Sequence, residues 1–191
     1  MTEILLFHHA LGLTPGVVAL ADRLRAGGHT VHTPDLYDGQ TFSTVADGVD
    51  HARSIGFGTL VERGAAIAAD LPEDLVYAGI SMGGMPAQNL AQNRAGARGA
   101  VLFETSVPAE EFGAWQAGVP LQIHAADADP EFVDSGDIDA ARELVAAADD
   151  GELFLYPGDQ HLFTDSSLPS YDAGATDLVV KRVLEFLARV S

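Results

Sequence analysis

The chain has 191 residues, 47% apolar and 20% charged, the balance of an ordinary globular protein long enough for one sizeable core and too short for two. Its 10 basic and 28 acidic residues give a formal charge of −18, which repels nucleic acid and anionic membrane surfaces alike. The absence of cysteine excludes disulfides, thiolate metal sites and a cysteine nucleophile.

The opening MTEILLFHHALG has no basic stretch, and its apolar run is too short for a secretory signal. No stretch approaches the roughly 18 apolar residues of a membrane span, so a soluble cytoplasmic protein is expected. Glu3–Phe7 (EILLF) reads as a buried first strand. Pro15–Ala26 follows as an amphipathic helix ended by Gly27 and Gly28, and 29–33 as a short strand closed by Pro34. Residues 35–56 show no clean period and scatter Gly, Asp and Thr, which predicts an irregular crossover or lid. Helical spacing resumes over 57–70; 74–80 is a third strand and 83–94 the helix after it. Strands four and five fall at 98–103 and 119–126, separated by a loop that holds Trp115. A helix at 138–148, a sixth strand at 152–156 and a closing helix at 172–190 complete the chain. Short apolar runs alternating with helices predict one α/β domain over 1–191, with six mostly parallel strands in an open doubly wound sheet. In such sheets ligands sit beyond the carboxyl ends of the strands.

Just beyond the third strand lies Gly79-Ile-Ser81-Met-Gly83-Gly84, a G-x-S-x-G turn between strand and helix. The spacing lifts a serine hydroxyl above the sheet, and the glycines leave room where a Cβ would collide. A serine needs an imidazole to take its proton. His161 follows the sixth strand in a Pro/Gly loop at the same edge, whereas His29, His32 and His51 read as surface or structural and His124 as a core histidine. The imidazole in turn needs a carboxylate, and the fifth strand ends in His124-Ala-Ala-Asp127-Ala-Asp129-Pro130. Asp129 is preferred, with Asp127 as the alternative that spacing leaves open. Ala10, in the loop after the first strand, and Met82 are expected to offer backbone N–H groups to an oxyanion. The neighbouring histidines His8 and His9 point to opposite faces and make a poor metal site, so no metal or cofactor is expected. His9 is a candidate to shape the pocket or steady Ser81, and Trp115 and Leu162 are candidates to wall it.

With these residues in hand, the chain resembles the dienelactone hydrolase family of α/β-hydrolases over nearly its whole length. The resemblance rests on Pro34-Asp-Leu-Tyr37, Gly79-Ile-Ser-Met-Gly-Gly84, Tyr156-Pro-Gly-Asp-Gln-His161-Leu-Phe163 and Pro169-Ser-Tyr171-Asp172. It implies an α/β-hydrolase fold without a separate cap domain, Ser81 as nucleophile, Asp129 as acid, His161 as base, and Ala10 and Met82 as oxyanion donors. Members that open dienelactones carry cysteine where this chain has Ser81, a glutamate where it has His9, and an arginine shortly after the catalytic histidine. Here that stretch reads Leu162-Phe-Thr-Asp165, which directs expectation to a small neutral ester or lactone as partner. The alternatives are a non-catalytic binding protein that kept the fold, or thioester or C–C bond cleavage with the same three residues.

Overall fold

The strands arise where apolar runs can be buried on both faces, and a computed structural model describing residues 1–191 pairs all six in parallel. They are β1 (Glu3–Phe7), β2 (Thr30–His32), β3 (Val76–Ile80), β4 (Gly99–Phe103), β5 (Leu121–Ala126) and β6 (Gly151–Tyr156), in the order β2-β1-β3-β4-β5-β6. The helices are α1 (Pro15–Ala26), α2 (Val45–Ile55), α3 (Phe57–Ala69), α4 (Gly84–Asn93), α5 (Pro130–Val133), α6 (Asp137–Ala147) and α7 (Ala173–Arg189). Alternation along the strands divides the core in two. Leu5 and Phe7 pack with residues of α2, α3, α4 and α6, while Ile4 and Leu6 pack with α1 and α7. No helix is long and apolar enough to cross a membrane.

The chain leaves β1 for one side of the sheet and returns to its other side as β3, so the order reverses between these adjacent strands. The loops after β1 and β3 therefore diverge, and the crevice between them is where a doubly wound sheet accepts ligands.

The expected irregular crossover at 35–56 is a correction: it contains the helix α2. Thr44 caps it, accepting a hydrogen bond from the Asp47 N–H at 3.2 Å. Its inward face consists of Gly48 and Ala52, which are buried, with Val49 and Ile55 packed against the core beside them. The short helix α5 was also unexpected; Asp129 caps it and Pro130 begins it.

Gly48 explains why α2 lies where it does. A Cβ on this residue would stand 2.2 Å from the Ala10 carbonyl oxygen, so the helix rests directly on the loop after β1. That loop is stapled by two buried imidazoles of opposite tautomer, each assigned by the backbone N–H it accepts. The Leu36 N–H donates to His8 Nε2 at 3.0 Å, leaving Nδ1–H to donate to the His9 carbonyl at 2.7 Å. The Leu11 N–H donates to His9 Nδ1 at 3.2 Å, leaving Nε2–H to donate to Asp165 Oδ2 at 2.7 Å. Burial holds the His8 pKa down at about 4, so its ring is neutral at pH 7. Asp165 also accepts from the hydroxyl of Thr14, the cap of α1, and from Ser167. Burial opposes its charge, but these hydrogen bonds, led by that from His9, bring its pKa down from 3.8 to about 2.

Two stability predictions follow from this packing. Gly48→Ala drives a methyl group into the Ala10 carbonyl and costs about 2 kcal/mol, a fall of about 6 °C in Tm for a chain of this length. In contrast, Gly58→Ala in α3, where a Cβ would meet nothing within 4 Å, leaves Tm level or raises it. Asp165→Asn removes the charge from a site built for it and destabilises by about 2 kcal/mol above pH 4. Because the folded pKa lies below the unfolded value, the deficit against wild type narrows as pH falls from about 4 to 2, as denaturant titrations across that range will record.

Candidate active site

Ser81 occupies the turn between β3 and α4 and has a left-handed backbone, φ +47°, which residues with a Cβ rarely adopt. The conformation is held by close backbone packing. A Cβ on Gly79 would lie 2.0 Å from the Gly83 oxygen, and one on Gly83 would lie 2.5 Å from the Phe7 oxygen. Only glycine lets the turn fold back on its own strand and against the end of β1. A 3₁₀ turn over Ser81–Gly83 leads into α4, whose N-terminal end carries the positive side of its dipole.

His161 stands beside this turn on the loop after β6. Its Nε2 lies 2.9 Å from Ser81 Oγ, and its Nδ1 lies 2.6 Å from Asp129 Oδ2. With the Nδ1 proton donated to the carboxylate, Nε2 is free to accept the serine proton. Asp129 is fully buried, and its second oxygen accepts from the Glu131 N–H at 2.9 Å, so the carboxylate cannot swing away. Burial opposes a charged His161, but the Asp129 hydrogen bond and the carboxylates of Glu104, Asp129 and Glu131 outweigh it and raise its pKa above the ordinary imidazole value.

The two acids of the β5 turn have separate tasks. Asp127 Oδ1 accepts from the Gly158 N–H at 3.1 Å, and Ala128 N–H donates to the Gly158 oxygen at 2.9 Å. The turn after β5 is thereby sewn to the loop that carries His161. His124 is a core residue: burial, then the charge of Arg182, lowers its pKa to about 3, and Tyr156 and Gln122 satisfy both ring nitrogens at 2.8 Å.

Ala10 follows the two stapled histidines, and its N–H has no protein acceptor. The segment Pro34–Tyr37 braces both expected oxyanion donors. Its Leu36 N–H fixes His8, while the Tyr37 hydroxyl donates to Met82 Sδ at 2.9 Å. Three of the expected pocket residues are placed differently from the sequence reading. His9 is fully buried and spent on Asp165; Leu162 is only 2% exposed; Trp115 is 9% exposed, packs in the core, and donates its indole N–H to the Val119 oxygen at 2.8 Å. Apolar side chains account for the burial of Trp115 and Leu162, and the pairing with Asp165 for that of His9. The sequence reading missed Asp165 and Glu104 as buried acids near the site. The signal available for Glu104 was its position immediately after β4, at the same sheet edge as Ser81.

Comparison with known proteins agrees with this geometry. The chain aligns with a dienelactone hydrolase-like promiscuous phosphotriesterase from metagenomic libraries at 18% identity and a TM-score of 0.77, covering 100% of this chain and 87% of that one. A protein assigned to the α/β-hydrolase superfamily from Xanthomonas campestris pv. campestris matches at 21% identity and a TM-score of 0.69, covering 99% of both chains. A butyrate-bound esterase from Thermogutta terrifontis matches at 19% identity and a TM-score of 0.65, over 100% of this chain and 84% of that one. These likenesses establish the α/β-hydrolase fold. No curated protein sequence matches significantly. The sequence model of the dienelactone hydrolase family matches residues 1–191, and the chain belongs to that family.

Proposed function

We propose that this hydrolase is a serine enzyme that cleaves small, neutral carboxylic esters or lactones through an acyl-enzyme on Ser81. The observation that carries the reading is the single imidazole bridging a serine hydroxyl at 2.9 Å and a buried carboxylate at 2.6 Å. Ser81 attacks the carbonyl as His161 takes its proton, and Asp129 stabilises the imidazolium that forms. The tetrahedral oxyanion is received by the backbone N–H groups of Ala10 and Met82, and His161 then returns the proton to the leaving alkoxide. Water, activated by the same imidazole, releases the acid and restores the serine.

A neutral substrate suits the electrostatics. Three carboxyl groups act on His161, and the stretch after it, where dienelactone-opening members carry an arginine, reads Leu162-Phe-Thr-Asp165, whose only charge is a carboxylate engaged by His9. A short acyl chain suits the fold, which has no separate cap domain to enclose a long one. The Thermogutta terrifontis relative, an esterase holding butyrate, supports the same reading by analogy.

Active-site labelling and kinetics test it. A fluorophosphonate probe labels wild type covalently and leaves Ser81→Ala unlabelled; a folded wild type that resists the probe refutes the proposal. His161→Ala lowers kcat/KM on p-nitrophenyl acetate by a factor of about 10³ or more. Across a series of p-nitrophenyl esters, acetate and butyrate turn over faster than decanoate, and the reverse order refutes the short-chain assignment.

A further inference from the structure

Glu104, the residue after β4, is 1% exposed, yet neither of its carboxyl oxygens has a well-formed hydrogen bond. Buried carboxyls are otherwise paired or hydrogen-bonded, because an unpartnered one is costly to desolvate. Its backbone is also unfavourable, with φ +59°. Of the four non-glycine residues with positive φ, three surround the reacting groups: Ser81, Glu104 and Leu162, which follows His161. The surroundings impose this conformation from both sides. The Glu104 N–H donates to the His124 oxygen at 2.7 Å, and Thr105 and Ser106 bond to Asp137 at the start of α6. A residue that costs stability in backbone and in desolvation, kept in place beside a reacting group, is a mark of function.

We propose that Glu104 is a positioning residue for His161: a second carboxyl, buried at the end of β4 on the sheet edge that carries Ser81, that shares with Asp129 the stabilisation of the imidazolium. This rests on the serine hydrolase reading above. The charged groups that act on the ring are Asp129 from the β5 turn, Glu131 from α5 and Glu104 from β4; those that act on Glu104 are His161 and Asp129. Burial pushes the Glu104 pKa up to about 7 against the pull of His161. The backbone N–H groups of Leu162 and Thr164 also favour the Glu104 carboxylate, which ties it to the loop that carries the imidazole. As the serine proton reaches His161, the ionised Glu104 lowers the energy of the resulting charge without touching substrate.

The test uses Glu104→Gln, which keeps the shape and removes the charge, and Glu104→Leu as a second variant. Nuclear magnetic resonance titration of the His161 ring is read beside the pH profile of kcat/KM on p-nitrophenyl acetate, with fluorophosphonate labelling of each protein. In both variants the ring pKa and the acid limb fall by about one pH unit. Folded variants whose ring titration and acid limb do not move overturn the proposal, as does failure of both variants to fold, which would make Glu104 structural. The ring titration reads Glu104 independently of turnover. If it shifts while wild type resists the probe, the hold of Glu104 on His161 stands and only the hydrolase reading falls.

Discussion

A serine held with a left-handed backbone above the end of a strand is the constraint on which the rest of this molecule turns. At φ +47° Ser81 is strained, and nothing in its own side chain relieves the strain. The turn persists because its backbone is pressed between β3 and the end of β1, where Gly83 approaches the Phe7 and His8 carbonyls closely. Those carbonyls are fixed in turn by the parallel register of β1 against β3, in which Phe7 lies opposite Gly79. The sheet therefore sets the position of a single hydroxyl, and the loops after β1, β5 and β6 need only reach the same point along its edge.

Charge is arranged around that hydroxyl with unusual economy of cations. Asp129 by a direct hydrogen bond, and Glu104 and Glu131 by their charge, favour a positive His161, and no arginine or lysine acts on the ring. In a chain of net charge −18 the imidazolium is thus the one positive centre in an acidic neighbourhood, and its formation is favoured from several directions. The neighbouring histidines act in the opposite sense. His8 is kept neutral by burial, and His9 accepts from the Leu11 N–H while donating to Asp165, so both rings serve as rigid connectors. The same residue type bridges Ser81 and Asp129 at 161 and is a scaffold at 8 and 9, and the difference lies in what each ring nitrogen meets.

Much of this was legible in the sequence. The strands announced themselves as apolar runs, and their alternation with helices gave the parallel sheet; the G-x-S-x-G turn and the histidine and aspartate after later strands marked the residues that meet at Ser81. What escaped reading shares a physical cause. Helix α2 has only a short apolar face, Val49, Ala52 and Ile55, set among Asp, Gly and Arg, which masks its period, although Thr44 followed three residues later by Asp47 is a capping pattern that could have revealed it. The choice between Asp127 and Asp129 depended on a turn whose geometry is set by Pro130 and by the bond to Gly158. The tasks of His9 and Asp165 are reciprocal across 156 positions of sequence, and no local pattern encodes such a pair.

The roof over Ala10 is α2, a helix of eleven residues of which two small ones are fully buried. Between its backbone at Gly48 and the Ala10 carbonyl there is no room for even a methyl group. A displacement of this helix therefore cannot leave the loop after β1 untouched, and the place of residue 10 is set by a contact 38 positions away as well as by the strand before it.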